Sequence, residues 1–147
     1  MSHSDPIAQT LARVQDVYGR YAQGDRAALY DALAPEVTWT SVGGNGLLPW
    51  AGTRQGRAGV AEYFTQLDAE ADVTGYDVEQ VIAQGQWIAI LATVSVRYRR
   101  NGQEHRYPKA DFLRMVDGMV IDFREFYDTA QASHDHGCGC GCGCGCG

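Results

Sequence analysis

Apolar side chains recur at every third or fourth position in the first part of the chain. The stripe between 6 and 23 consists of Ile7, Leu11, Val14, Tyr18 and Tyr21. This spacing predicts one face of an amphipathic helix. Gly24 and Asp25 end that helix and begin a second short one, which reaches about Ala34 because Pro35 stops the pattern. A third helical pattern follows in GRAGVAEYFTQLDAE.

Apolar and polar residues alternate instead in EVTWTSV and through most of the chain after residue 72. This alternation predicts one early strand and four later ones, at about 73–83, 87–99, 104–116 and 119–128. The links at Gly85, Asn101-Gly102 and Asp117-Gly118 are short and turn-forming, so we expect hairpins between antiparallel strands. Helices followed by a strand meander predict an α+β fold, with the helices packed on one face of the sheet.

The period of two along a strand indicates which side chains point into the fold. The last strand places on one face Ile121, Phe123, Glu125 and Tyr127. Glu125 is therefore a carboxylate within an otherwise apolar row. For the strand at 104–116 we expect an inward row of Pro108, Ala110, Phe112 and Arg114, with Lys109 and Asp111 on the opposite face.

Glu125 is the candidate catalytic residue of the domain. Burial raises the pKa of a carboxyl group, and a carboxyl group that titrates near neutral pH suits general acid–base catalysis. A structural interpretation stays open, in which Arg114, Arg124 or a tyrosine hydroxyl pairs with Glu125.

Length and charge limit the classes of function. The 147 residues suit one domain, and the formal net charge is −6. An acidic chain does not favour nucleic acid or an anionic membrane surface as a partner. The sequence contains neither 18 consecutive apolar residues nor the features of a secretory signal, so we expect a cytoplasmic protein.

All cysteines lie in the last ten residues, in alternation with glycine. They are Cys138, Cys140, Cys142, Cys144 and Cys146. The domain, expected at 1–132, therefore contains no disulfide. The segment 133–147 has nothing with which to form a core, so we expect a disordered His/Cys-Gly tail.

Two functional interpretations of the tail remain open. Closely spaced thiolates together with His134 and His136 suit Cu(I) or Zn, although no cofactor is expected in the domain. Alternatively, the repeat resembles the core of ribosomally made, post-translationally modified peptides. That resemblance implies a precursor in which partner enzymes recognise the domain as a leader and convert the cysteines to azoles or similar rings.

Three segments of the chain resemble, in the same order, the SnoaL-like branch of the nuclear transport factor 2-like superfamily, which is related to ketosteroid isomerases. The segments are AQGDRAAL, PWAGTRQGRAGVAEYF and VDGMVIDFREFYDTA. The resemblance implies a conical α+β domain, in which three helices pack in a strongly curved antiparallel sheet. It also implies a pocket for a small apolar or aromatic ligand, and a homodimer formed through the sheet. The pocket residues that we expect on this basis are Trp39, Ser41, Trp50, Tyr63, Tyr98, Phe112 and Tyr127.

Alignment with the isomerases places Val17, Ser41 and Ala110 at the positions of the tyrosine, the base and the acid. All three isomerase roles are therefore vacant. Relatives similar to limonene epoxide hydrolase use acidic and basic residues on these strands to activate water and protonate an epoxide. Glu125 matches their inward carboxylate, but Tyr98 lies between Arg97 and Arg99, where the pattern requires a carboxylate.

The sequence thus predicts a SnoaL-like domain that binds a small molecule and acts as an isomerase, a cyclase or a hydrolase, or has no catalytic activity. The modified-peptide precursor is the alternative, and the metal-binding tail is a second alternative.

Overall fold

A computed structural model describes residues 6–44 and 46–137. The elements in chain order are α1 (Pro6–Ala22), α2 (Ala27–Ala32), β1 (Leu33–Ser41), β2 (Gly52–Gln55), α3 (Gly56–Glu70), β3 (Ala71–Gln84), β4 (Trp87–Tyr98), β5 (Glu104–Val116), β6 (Met119–Tyr127) and α4 (Thr129–Gly137). The predicted α+β class, with three helices before a meander of hairpins, is confirmed.

The six strands form one sheet in the order β2-β1-β6-β5-β4-β3. The hairpins from β3 to β6 are antiparallel, but β1 pairs with β6 in parallel. The expectation of a purely antiparallel sheet was therefore wrong. Short turns constrain the direction only of the strands that they join, and β1 is separated from β6 by the whole meander.

The helices pack on the concave face of the sheet, and the core between them is rich in aromatic rings. α3 contributes Val60, Tyr63, Phe64 and Leu67. Trp39 of β1 stacks on Phe123 of β6 with ring centroids 3.9 Å apart, because these residues are register partners. Register shifts in β3, between Val73 and Gly75 and between Val78 and Gln80, allow the long strand to bend around the helices.

The inward face of β5 is the opposite of the predicted one. Lys109, Asp111, Leu113 and Met115 point into the cone, whereas Phe112 is 38% exposed on the outer face. If β5 and β6 paired without interruption from the Val116–Met119 pair onward, Ala110 would lie opposite Glu125. A register shift after Met115 leaves Ile121 unpaired, so Asp111 pairs with Glu125 instead.

The folded chain continues beyond the expected domain end at residue 132. α4 runs to Gly137, with Ala132 and Asp135 buried. The Asp128 side chain accepts a hydrogen bond from the Gln131 backbone N–H at 2.9 Å, which caps the helix at its start. The cysteines at 138–146 lie outside the described residues. Among the helices described, none has the length and apolarity needed to cross a membrane.

Candidate active site

Three charged side chains meet inside the cone. Lys109 and Asp111 are two positions apart on β5 and therefore share a face, and Glu125 lies directly opposite Asp111 on β6. Asp111 is 1% exposed and Glu125 is 2% exposed. Two carboxylates at such close range repel each other and lose their hydration, so this arrangement requires compensating partners.

Lys109 supplies the compensating charge. Its Nζ atom lies 2.7 Å from Glu125 Oε1 and 3.4 Å from Asp111 Oδ1. Nζ also lies 4.9 Å from the centre of the Tyr76 ring, within the range of a cation–π contact. Lys109 is the single lysine of the chain, and it bridges the two buried carboxylates.

Tyrosine hydroxyls complete the cluster. Tyr18 from α1 donates to Asp111 Oδ2 at 2.6 Å, and Tyr76 from β3 donates to the same oxygen. Tyr63 from α3 donates to Glu125 Oε2 at 2.8 Å. Asp111 Oδ1 has no hydrogen-bond partner among the described residues. Two hydroxyl donors thus hold one oxygen of Asp111, while the other forms the ion pair with Lys109.

Burial and charge set the protonation of these groups. Burial raises the pKa of Asp111, and Glu125 raises it further, although Lys109 opposes the shift. Burial disfavours the charge on Lys109, but Asp111 and Glu125 outweigh this effect and raise its pKa. Lys109 is therefore a permanent cation at neutral pH, which excludes it as a Schiff-base nucleophile. Asp111 is the group whose proton is retained to a higher pH than in an ordinary aspartic acid.

The tyrosines remain protonated donors. Burial, followed by the neighbouring carboxylates, raises the pKa of Tyr18, Tyr63 and Tyr76 well above the ordinary tyrosine value. Burial also raises the pKa of Tyr21 to about 12. At neutral pH these hydroxyls donate hydrogen bonds and do not serve as bases.

Two cavities flank the charged cluster. The inner lobe, of about 50 Å³, and the outer lobe, of about 40 Å³, share the walls Tyr21, Tyr63, Tyr76, Lys109 and Glu125. The inner lobe is also lined by Val14, Leu33, Trp39, Leu113, Met115 and Phe123. The outer lobe is also lined by Trp50, Leu67, Val94, Tyr98, Tyr107 and Tyr127. The charged groups thus lie between two apolar compartments, each with room for a small molecule or a few waters.

Most of the sequence-predicted pocket residues lie at these lobes. Trp39 lines the inner lobe, Tyr63 lines both, and Trp50, Tyr98 and Tyr127 line the outer lobe. Ser41 is completely buried beside Glu125 in the sheet register but lines neither lobe. Phe112 does not belong to the pocket, because it packs against Phe126 on the outer face.

Of the partners considered for Glu125, the tyrosine hydroxyl is confirmed, since Tyr63 donates to it, but the two arginines were wrong. Arg114 donates to Gln86 and Arg124 to Asp122, so neither pairs with Glu125. Arg97 and Arg99 form exposed ion pairs with Glu104 and Asp72. The basic residue of the site is Lys109.

Two of the three positions aligned with the isomerases lie one residue before a polar group of the cluster. Tyr18 and Asp111 carry the polar groups of the cluster, and their neighbours Val17 and Ala110 do not. The sequence contains one signal for this face. Tyr107, Leu113 and Met115 give the inward row more large apolar side chains than the row that we chose.

The metal candidates of the sequence do not converge in the described part of the chain. His134 and His136 lie on α4, where His136 Nε2 is 2.9 Å from Glu70 Oε2. Over residues 6–44 and 46–137 there is no group of three or more His, Cys, Asp or Glu side chains that could hold a metal ion. The five cysteines lie outside this part.

A family model described as the SnoaL-like domain matches residues 14–123. The chain belongs to the SnoaL-like family. This match runs from Val14 in α1 to Phe123 in β6 and includes Lys109 and Asp111, so most of the cluster lies within the family domain. A comparison with curated proteins finds no match.

Solved structures with the same fold cover most of this SnoaL-like chain. An NTF2-like protein from Burkholderia pseudomallei has a TM-score of 0.77 and 22% identity, over 84% of this chain and 93% of its own. An NTF2-like protein from Burkholderia thailandensis has a TM-score of 0.74 and 25% identity, over 84% and 94%. TerC, co-crystallised with polyporic acid, has a TM-score of 0.73 and 21% identity, over 84% and 94%. These similarities establish the NTF2-like fold.

Proposed function

We propose that this SnoaL-like protein is an enzyme that performs acid–base chemistry on a small, mostly apolar molecule bound in the cone. The observation that carries the proposal is the buried, cross-strand pair of Asp111 and Glu125, bridged by Lys109 at the boundary of two apolar cavities. Burial of an ion cluster of this kind costs desolvation free energy. Its position between two cavities favours a catalytic purpose over a structural one.

The two carboxyl groups have different environments and therefore different roles. The raised pKa of Asp111 suits it to hold a proton and to donate that proton as the acid. Glu125 accepts hydrogen bonds from Lys109 and Tyr63 on its two oxygens. As the carboxyl group that lines both cavities, Glu125 is the one that we assign as the base.

Lys109 holds the two carboxyl groups in position for the reaction. Its charge stabilises whichever carboxylate is ionised, and also an oxyanion that develops at the substrate. Because Nζ is within 3.4 Å of both carboxyl groups, the ammonium group can relay a proton between them after the reaction.

Among the reactions expected from the sequence, the one that we propose for this acid and base is addition of water to an epoxide. Water gives a proton to Glu125 while its oxygen bonds to an epoxide carbon. The C–O bond at that carbon breaks, and the leaving oxygen takes the proton of Asp111, which yields a vicinal diol. Return of the proton from Glu125 to Asp111 restores the starting state. Small-molecule binding by the fold is supported by the co-crystallisation of TerC with polyporic acid.

The test uses styrene oxide and cyclohexene oxide in water enriched in ¹⁸O. We expect one ¹⁸O atom in each diol. Substitution Glu125→Gln should lower turnover by about 10²–10⁴-fold, the usual contribution of a general base. The matched control is Glu36→Gln, an exposed carboxylate outside the cone, and it should leave turnover unchanged. Equal turnover by the Glu125→Gln and wild-type proteins contradicts the proposal.

An isomerase is the second candidate, because a base and an acid at one cavity also serve to move a proton between carbon and oxygen. In that case Glu125 removes the proton from carbon and Asp111 donates to the carbonyl oxygen. This reaction incorporates no ¹⁸O but exchanges substrate hydrogen with deuterium from solvent. Incorporation of ¹⁸O into the product therefore indicates a hydrolase, and incorporation of deuterium without ¹⁸O indicates an isomerase.

A further inference from the structure

One tyrosine hydroxyl beside the charged cluster has no acceptor within the protein. The residues that line both lobes, which we call the junction, are Tyr21, Tyr63, Tyr76, Lys109 and Glu125. Tyr63 donates to Glu125, Tyr76 donates to Asp111, and Lys109 bridges both carboxyl groups. The Tyr21 hydroxyl, by contrast, forms no hydrogen bond with any described residue. It is therefore the hydroxyl of the junction that remains for a ligand.

The Tyr21 hydroxyl is open to a molecule the size of water. In the described part of the chain, the buried side-chain atoms without a hydrogen-bond partner are Trp39 Nε1, Ser41 Oγ, Arg54 Nε and Asp111 Oδ1. Tyr21 Oη also lacks a partner but does not belong to this set, so it is exposed to accessible space. The lobes that Tyr21 lines, of about 50 and 40 Å³, have room for a few waters.

The same hydroxyl lies close to the charges of the cluster. Burial raises the pKa of Tyr21 to about 12, and the next largest effect is that of Lys109, which lowers it. Glu125 and Asp111 add to the increase. The hydroxyl is thus a protonated donor at neutral pH. Tyr21 and Glu125 line the same two lobes without a hydrogen bond between them, and such a polar pair is a usual setting for a bridging water.

We infer that the junction binds the water molecule that Glu125 activates, and that Tyr21 is the residue that holds this water. The Tyr21 hydroxyl donates a hydrogen bond to the water oxygen, and the water donates one to the Glu125 carboxylate. These two bonds fix the direction of the remaining lone pair of the water. The use of this water in a reaction rests on the proposed function, but its binding at the junction does not.

The bound water has a defined part in the reaction. One of its protons passes to Glu125 while its oxygen bonds to the epoxide carbon. The epoxide C–O bond at that carbon breaks, and the leaving oxygen takes the proton of Asp111. The second hydrogen of the water stays on the new hydroxyl group. Tyr21 keeps its own proton throughout, so its contribution is to orient the attacking oxygen.

Magnetic relaxation dispersion of ¹⁷O-enriched water tests the binding, because it counts the internal waters of the full-length protein that have long residence times. Tyr21→Phe removes the hydroxyl and retains the ring, so the count should fall by about one water. Tyr30→Phe is the matched control. The Tyr30 hydroxyl also forms no hydrogen bond with a described residue, but Tyr30 lines neither lobe. This variant should leave the count unchanged.

The kinetics of cyclohexene oxide hydrolysis test the use of the water. Tyr21→Phe should lower kcat by about five-fold, the equivalent of one hydrogen bond. KM should stay unchanged, because the hydroxyl contacts the water and not the substrate. Tyr30→Phe should change neither constant. A higher KM with an unchanged kcat would mean that Tyr21 binds the substrate, and would contradict the inference.

Other results also overturn the inference. An equal number of long-lived waters in the wild-type and Tyr21→Phe proteins contradicts the water site. So does a wild-type protein without long-lived internal water, a result that does not depend on the folding of any variant. Loss of the water with an unchanged kcat contradicts its role as the nucleophile. Absence of epoxide turnover by the wild-type protein contradicts only the proposed function, since the water count does not depend on turnover.

Discussion

Asp111 and Glu125 are direct cross-strand partners on β5 and β6, and both side chains are buried on the concave face of the sheet. Like charges in such a pair destabilise a sheet unless a third group compensates them. Lys109 Nζ lies within 3.4 Å of both carboxyl groups, and its positive charge offsets their repulsion. The stability of the cone and its chemistry therefore depend on the same three side chains.

Substitution Lys109→Met should destabilise the protein by about 3–5 kcal/mol at neutral pH, because it leaves two buried carboxyl groups without a cation. The pKa of Asp111 is already raised by burial, and loss of Lys109 removes the effect that opposes this shift. A carboxyl group whose pKa is raised in the folded state contributes stability at low pH and loses it as pH rises through the folded-state value. The deficit of the variant should therefore be smaller at pH 4 than at pH 7.

Urea unfolding of both proteins across this pH range measures the deficit. Arg20→Met serves as the control, since Arg20 forms only exposed ion pairs and its loss should cost little. A constant deficit at all pH values contradicts the coupling of Lys109 to the carboxyl groups.

Tyr18 and Tyr76 donate to the same oxygen of Asp111, so each should partly compensate for loss of the other. We expect Tyr18→Phe and Tyr76→Phe each to cost about 1 kcal/mol of unfolding free energy. The double variant should cost more than the sum, because Oδ2 is then buried without a donor. Thermal and urea unfolding of the four proteins give the coupling. Strict additivity contradicts a shared acceptor.

The outer face of the sheet carries exposed apolar side chains on three neighbouring strands. Leu91 is 47% exposed, Phe112 38% and Phe126 41%, and Ala110 connects Leu91 to Phe126 across the register. We predict that this face forms the homodimer that the family resemblance implies. Sedimentation velocity should show a dimer that Phe112→Glu dissociates. Leu47→Glu, an exposed site outside the sheet, should leave it intact, and a monomeric wild-type protein contradicts the prediction.

The precursor interpretation of the tail predicts a chemical change at the five cysteines. The intact mass of protein from its native producer should then be lower by one water per modified cysteine, and deletion of the folded domain should abolish the change. An unmodified mass with five free thiols contradicts this interpretation. In that case, titration of the protein with Zn and Cu(I) tests the metal-binding interpretation.

The sequence predicted the parts of the fold that local rules govern. Helical spacing and turn residues gave the helices and hairpins, and the period of two placed Glu125 inside. The β5 face was wrong because the register shift that leaves Ile121 unpaired places Asp111, and not Ala110, opposite Glu125. The large apolar residues Tyr107, Leu113 and Met115 were the one sequence signal for the correct face. Lys109 and Asp111 were therefore missed. α4 was missed because TAQASHDHG has a weak helical pattern and depends on tertiary contacts such as His136 with Glu70.

The measurement that tests the account most directly is the titration of the Asp111 carboxyl group by NMR, with ¹³C-labelled aspartate and with Asp111→Asn to assign the signal. We predict that Asp111 retains its proton to a higher pH than an ordinary aspartic acid, because burial and Glu125 raise its pKa. Its titration should also be coupled to a second group, and Glu125→Gln should remove this coupling. An Asp111 signal that titrates at or below the ordinary aspartic acid value would leave the site without its acid and would contradict the proposed chemistry.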